Sequence, residues 1–265
     1  MTVPRLGLGT SGNDDPEQCA ESVRTALEFG YRHVDTAQMY GNEAAVGRGV
    51  RGADVDREDV FVATKVHPEN LAREDVLATA EASLDRLALD YVDLLYVHWP
   101  LGAYDPAETL PAFDALRDRG LTRHVGVSNF TPDLLREAAE LLEAPIAANQ
   151  VEIHPLLPPR EDLVAACEDV GADLVAYAPF CRRDALDVPE VVAVAERRGI
   201  SPAQVCLAWL LAKDCAPIPK ATGREHLADN WAALDLELTD EDVARLDGIE
   251  ERYRKFDPDG SPWQD

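Results

Sequence analysis

Val60-Phe61-Val62-Ala63-Thr64-Lys65-Val66 and Tyr91-Val92-Asp93-Leu94-Leu95-Tyr96-Val97-His98-Trp99 are runs of one kind. Each is apolar and rich in β-branched or aromatic residues, each carries a polar side chain near its end, and an amphipathic helical stretch lies between them. Strand, helix and strand in that order form a βα unit of a parallel sheet. The pattern repeats in both directions. Further candidate strands are Leu6 to Thr10, Tyr31 to Thr36, Arg123 to Ser128, Ile146 to Glu152, Asp173 to Ala178 and Pro217 to Lys220.

The intervening helices have readable ends. Thr131-Pro132 and Ser201-Pro202 place a capping hydroxyl before a proline at the first helical position. Asp105-Pro106-Ala107-Glu108 and Thr239-Asp240-Glu241-Asp242 resemble capping boxes. Gly30, Gly120, Gly171 and Gly199 suit left-handed helix stops. Two helices fit before the eighth strand, Val188 to Arg198 and Pro202 to Lys213, and another follows at Asp240 to Glu251. No linker interrupts the series. The expectation is an α/β protein with one (β/α)8 TIM-barrel domain over residues 1–265, extra helices preceding the eighth strand and closing the C-terminus; about 250 residues is typical of such barrels.

Composition narrows the function. Fifty Asp and Glu against 25 Lys and Arg leave a net charge of −25, a field that repels nucleic-acid phosphates and anionic lipid. No apolar stretch approaches the roughly 20 residues of a membrane-spanning helix, and the N-terminus lacks a signal pattern. Only four basic residues are lysines: Lys65, Lys213, Lys220 and Lys255. Acids scattered over helix faces suggest a solvated, halophile-like surface, whose self-repulsion molar salt would screen. The five cysteines form no C-x-x-C pair, so reduced thiols and a cytoplasmic location are expected, with no metal.

Gly7-Leu8-Gly9-Thr10-Ser11-Gly12 satisfies G-x-G-x-x-G, and Asp35 follows at a later strand end, as in a Rossmann fingerprint. The acidic Asp14-Asp15-Pro16-Glu17 stands where a pyrophosphate should meet a free helix N-terminus, and polar residues recur at strand ends well beyond the first half of the chain. Both observations favour the barrel.

Chemistry gathers at three consecutive strand ends. Asp35 closes the second strand and Tyr40 lies in the loop after it, within Asp35-Thr36-Ala37-Gln38-Met39-Tyr40-Gly41-Asn42-Glu43. That segment alone reads equally well as a hydrogen-bonded loop anchor. Lys65 and His98 close the next two strands. A lysine buried at a strand end needs a counter-ion, for which Asp35 is placed, and its charge beside Tyr40 should favour tyrosinate and lower the phenol pKa. A phenol so tuned can serve as acid and base.

With these residues in that order the chain resembles the aldo-keto reductases, in particular short prokaryotic members similar to diketogluconate reductases; the likeness runs from about Gly7 to Asn230. The resemblance implies Tyr40 as general acid, Asp35 and Lys65 as its tuning pair, and His98, with Trp99, beside the substrate carbonyl. It implies a nicotinamide cofactor held by Gly9, Thr10, Asp35, Ser128, Asn129, Gln150 (with neighbouring Asn149), Tyr177 and Phe180, with Tyr177 stacking on the ring. Ile218-Pro219-Lys220-Ala221-Thr222 resembles the family's adenosine 2′-phosphate site, continued by His226 and Asn230. Ala221 and His226 depart from the usual serine and arginine, so NADPH is favoured and NADH use stays open. A small carbonyl compound is the implied substrate and a monomer the expected state. The tail Phe256 to Asp265, with Trp263, either covers the pocket or packs on the barrel. Two rivals remain at this point: a cofactor-sensing regulatory module on the same barrel, and an unrelated barrel enzyme using Lys65 as a Schiff base.

Overall fold

The computed structural model describes residues 3–263. Eight strands run parallel in chain order, β1 (Leu8–Gly9), β2 (His33–Asp35), β3 (Phe61–Val66), β4 (Val92–Val97), β5 (Thr122–Ser128), β6 (Ile146–Glu152), β7 (Asp173–Tyr177) and β8 (Cys215–Pro217). Helices α1 (Pro16–Phe29), α2 (Glu43–Gly52), α3 (Arg73–Leu87), α4 (Pro106–Asp118), α5 (Pro132–Leu141) and α6 (Glu161–Val170) follow the first six strands in turn. Two helices, α7 (Pro189–Arg198) and α8 (Pro202–Ala212), separate β7 from β8, and α9 (Arg224–Ala232) and α10 (Asp240–Asp247) follow β8. This is the (β/α)8 barrel expected. The last helix stops at Asp247, short of Glu251, and a second helix joins it after β8.

The sheet closes where the sequence is least strand-like. Pro217 and Pro219 have no N–H to offer a ladder, yet their carbonyls accept from Gly7 and Gly9, each at 3.0 Å, while Ile218 N–H donates to Ala176 at 3.0 Å. Backbone pairing therefore continues to Lys220, which bridges Gly9, although regular strand ends at Pro217. Gly9 is required there, because a Cβ would lie 2.6 Å from the Ile218 carbonyl oxygen. The apparent dinucleotide fingerprint is thus a barrel seam, and the N-terminus of α1 is already capped by Asp15, which accepts from Glu17 and Gln18 at 3.0 and 2.7 Å.

Successive strand residues face opposite sides, and both sides are buried, which is why the strands read as nearly unbroken apolar runs. Ala63, Leu94, Tyr96, Ala148, Val175, Ala216 and Ile218 fill the barrel interior with Val3, and a larger core lies between strands and helices. Gly126 makes room for Tyr96, whose ring a Cβ would meet at 2.7 Å. Thr131 and Ser201 cap α5 and α8 as expected, Ser201 completing a capping box with Gln204. Thr239 and Asp242 form the second box, whereas the Asp105 side chain accepts from Ala107 N–H without completing one. No helix among the described residues is long and apolar enough to cross a membrane.

Candidate active site

The loop between β2 and α2 holds Tyr40 by anchoring its neighbours. Thr36 donates its hydroxyl to Asn42 at 2.9 Å, and the Asn42 amide donates to the Thr10 carbonyl at 2.8 Å. Gln38 donates to the Thr79 carbonyl and the Ser83 hydroxyl on α3, and accepts from His67 N–H and the Asn70 amide, all between 3.0 and 3.1 Å. A single 3-10 turn, Gln38 to Tyr40, ends at Gly41 in the left-handed region with φ 67°, a conformation glycine adopts without a Cβ penalty. Most of this distinctive segment is scaffold, and its product is a fixed, half-buried phenol.

Asp35, Lys65 and His98 are 1%, 0% and 6% exposed. The Lys65 ammonium pairs with Asp35 and also donates to the Thr36 carbonyl at 2.9 Å, while Gln150 from β6 donates to the other Asp35 oxygen at 2.8 Å. Lys65 Nζ lies 5.2 Å from the centroid of the Tyr40 ring, and His98 stands edge-on to that ring at 5.8 Å. Three strand ends and one loop converge on the phenol.

The electrostatics correct one expectation. Burial pushes the Tyr40 phenol up, and Asp35 adds to that; Lys65 and hydrogen bonding to Lys65 and Ser11 pull it down without reversing the direction. The Tyr40 phenol therefore lies above its ordinary value, and the anticipated net lowering by lysine is overturned by desolvation. Burial likewise drives His98 well below the usual imidazole range, with Lys65 and His67 adding to it, so the ring is neutral. Burial alone would push Lys65 down, but Asp35 and Tyr40 hold it above its ordinary value.

Beyond His98 the polar side chains bond to one another. Asn129, left-handed at φ 65°, donates its amide to the His98 carbonyl and the Ser128 hydroxyl, both at 3.0 Å, and accepts from the Tyr177 hydroxyl at 2.9 Å. Ser128 donates to the Gln150 carbonyl at 2.8 Å. Asn149 departs from expectation. It projects from the opposite face of β6, where its amide donates to the Phe130 carbonyl at 3.0 Å and its side chain meets the Cys167 thiol of α6. Gln150 reaches the site, but its amide serves Asp35.

At the far end of the sheet, Lys220 and His226 are exposed, Thr222 is half-buried and Asn230 is buried. Arg224 leans away, its guanidinium 4.6 Å from the Phe29 ring and 4.0 Å from Glu28. Helix α9 begins without a side-chain cap, next to an exposed lysine and an exposed imidazole. That donor set suits a phosphate.

The tail residues Tyr253 to Trp263 cross the mouth of the barrel, which sequence reading left open. Trp263 is 9% exposed and donates its indole N–H to the Asn129 carbonyl at 3.1 Å. Phe256 packs edge-on against Tyr177, 5.7 Å between centroids. Phe180, half-buried, opens the turn after β7, accepting from Arg183 and Ala185. Trp99 is 8% exposed, next to His98. Sequence reading missed Glu152, at the end of β6, and the anchoring role of Gln38 and Asn42.

The profile of the Aldo/keto reductase family matches residues 5–182 and 181–251. A methylglyoxal reductase, DkgB, of Salmonella typhi is 38% identical over 263 residues, covering 98% of both chains. Among solved structures, a putative 2,5-diketo-D-gluconic acid reductase B superposes with a TM-score of 0.93 at 35% identity, covering 99% of this chain and 94% of the other. A Bombyx mori aldo-keto reductase in complex with NADP gives a TM-score of 0.90 at 32% identity, covering 96% and 92%. The chain belongs to the aldo-keto reductase family.

Proposed function

We propose that this NADP-dependent oxidoreductase reduces small carbonyl compounds to alcohols, with Tyr40 as the proton donor. The observation that carries the reading is the Tyr40 ring placed 5.2 Å from the Lys65 ammonium, which is paired with Asp35, and edge-on to His98 at 5.8 Å. NADPH, when bound, supplies the hydride to the carbonyl carbon. Tyr40 donates its proton to the oxygen as negative charge develops there. Lys65 stabilises the tyrosinate left behind, and Asp35, fixed by Gln150, keeps the ammonium in place. Neutral His98 can polarise the carbonyl through an N–H without adding charge. Partial exposure of Tyr40 lets solvent restore its proton.

The cofactor would run from Ser128, Asn129, Gln150 and Tyr177 past the Gly9–Thr10 seam and Phe180 to Lys220, Thr222, His226 and Asn230. Because Asn129 and Gln150 already have protein partners, a carboxamide would exchange into this network instead of entering an empty socket. Neutral carbonyl compounds, such as the methylglyoxal for which the 38%-identical Salmonella reductase is named, are favoured over anions as substrates, because a net charge of −25 slows encounter with anions at low ionic strength.

The test is NADPH and NADH oxidation against methylglyoxal, simple aldehydes and diketones. Turnover of at least one neutral carbonyl compound is expected, and Tyr40→Phe should lower it about 10² to 10⁴-fold while NADPH binding is retained. Tight cofactor binding without turnover across the panel would overturn the assignment.

A further inference from the structure

Glu152 leaves β6 two residues after Gln150, so both side chains project from the same face of the strand. Gln150 supports Asp35. Glu152, with a fully buried side chain, faces a segment from the other end of the sequence: its oxygens accept from the backbone N–H groups of Lys255 at 2.7 Å and Phe256 at 2.9 Å. His154 Nε2 lies at 2.9 Å from the oxygen that Lys255 uses, and the Arg254 guanidinium stands back at 4.0 Å. A buried carboxylate is costly unless charge-assisted hydrogen bonds compensate it. The tail's own backbone provides them here.

The neighbouring contacts fasten the same segment. Tyr253 N–H donates to the Leu156 carbonyl at 3.1 Å, and the Tyr253 hydroxyl and Lys255 ammonium both donate to Asp184 at 2.6 Å. Immediately beyond this clasp the tail places Phe256 on Tyr177 and Trp263 on Asn129. Glu152, His154 and Cys181 offer ligand atoms within 4.8 Å of one another, but both carboxylate oxygens are committed to the tail.

We infer that Glu152 is a positioning residue: it clasps the C-terminal tail so that Phe256 and Trp263 form a wall on Tyr177 and Asn129 at the nicotinamide end of the site. The inference rests on the carbonyl-reductase reading, since Glu152 itself touches no reacting atom. Losing the clasp loosens the wall at the nicotinamide end, where the carbonyl compound must meet the cofactor, while Lys220 and His226 keep their surroundings.

Glu152→Gln keeps the size but turns one oxygen, needed as an acceptor, into a donor. For this variant KM for methylglyoxal should rise about tenfold with kcat changed less than about threefold, and NADPH affinity, most of whose charge contacts lie at Lys220 and His226, should fall by less than KM rises. Trypsin should cut after Arg252, Arg254 or Lys255 roughly tenfold faster than in the wild type, because clasped backbone opens less often. Trp263→Phe, which removes the indole N–H together with part of the ring's packing surface, should also raise KM, and combining it with Glu152→Gln should add nothing further. Additive effects, or unchanged trypsin cleavage, would overturn the clasp. If Glu152→Gln does not fold, Trp263→Phe alone decides: unchanged KM refutes the wall. A wild type that turns over no carbonyl compound fails the parent reading, while the trypsin arm still reports on the clasp.

Discussion

The two ends of the proposed cofactor path hold charge in opposite ways. At the chemistry end Asp35, Lys65 and His98 are buried, paired or neutral, and braced by Gln150 and the Thr36 carbonyl. At the adenosine end Lys220 and His226 stand in solvent, and Arg224 is drawn aside by Phe29 and Glu28. A buried ion pair stands or falls as a unit, because either member alone is an uncompensated charge. An exposed charge acts singly, is screened by salt, and can be exchanged at modest cost. On the proposed reading the reaction depends on the first end, and cofactor choice on the second.

Lys65→Met tests the buried end most severely. Stability should fall by about 3 kcal/mol as Asp35 loses its partner, and carbonyl reduction should drop at least about 10³-fold. Adding Asp35→Asn should recover most of the stability and none of the activity, measured by denaturant unfolding and NADPH oxidation. Recovery of activity in the double variant would break the link between pairing and chemistry.

Lys220→Ala probes the exposed end. NADPH affinity should weaken about tenfold, as for loss of one charge-assisted hydrogen bond, with NADH affinity unaltered and the difference shrinking in high salt. Equal weakening toward both cofactors would show that Lys220 does not read the 2′-phosphate.

The pH dependence sharpens the chemistry end. With Tyr40 above its ordinary value and His98 well below its own, neither titrates between roughly pH 6.5 and 10, the unperturbed values of the two groups. Reduction kcat/KM should be level across that window and decline only on its alkaline side, whereas alcohol oxidation, which needs tyrosinate, should climb with pH. A break near pH 6.5 that disappears in His98→Gln would show that the imidazole is charged.

The smallest effect concerns the whole surface. If self-repulsion among the acidic residues is the main electrostatic cost, the melting temperature should rise by a few degrees from dilute buffer to molar KCl, and the buried Lys65–Asp35 pair should contribute nothing to that rise. A flat response would remove the case for adaptation to salt.

The order of strands and helices was legible because it is written locally. Alternation, capping hydroxyls before prolines, and glycine stops each act over a few residues, and the elements they imply are present with ends shifted by a few positions. β8 shows the limit: Pro217 and Pro219 pair through carbonyls alone, which hydropathy does not register. Asp35, Lys65 and His98 were legible because polar groups at the ends of apolar strands stand out, and Tyr40, in the loop after β2, only by its place beside them.

Asn149 and Gln150 were not separable, since alternation says that neighbours face opposite sides of a strand without saying which side is inward. Glu152 was invisible for another reason. Its partners lie 103 and 104 positions away and are backbone amides, which carry no residue identity.

By itself, then, the sequence determined the barrel and the kinds of group at its strand ends, because secondary structure and burial pattern follow from short-range chemistry. Only the tertiary structure decided that burial outweighs Lys65 at the Tyr40 phenol, that Gln150 braces Asp35, and that the tail closes over Asn129 and Tyr177. Desolvation and hydrogen-bond partnership depend on everything folded around a group, and that surrounding is assembled from distant parts of the chain.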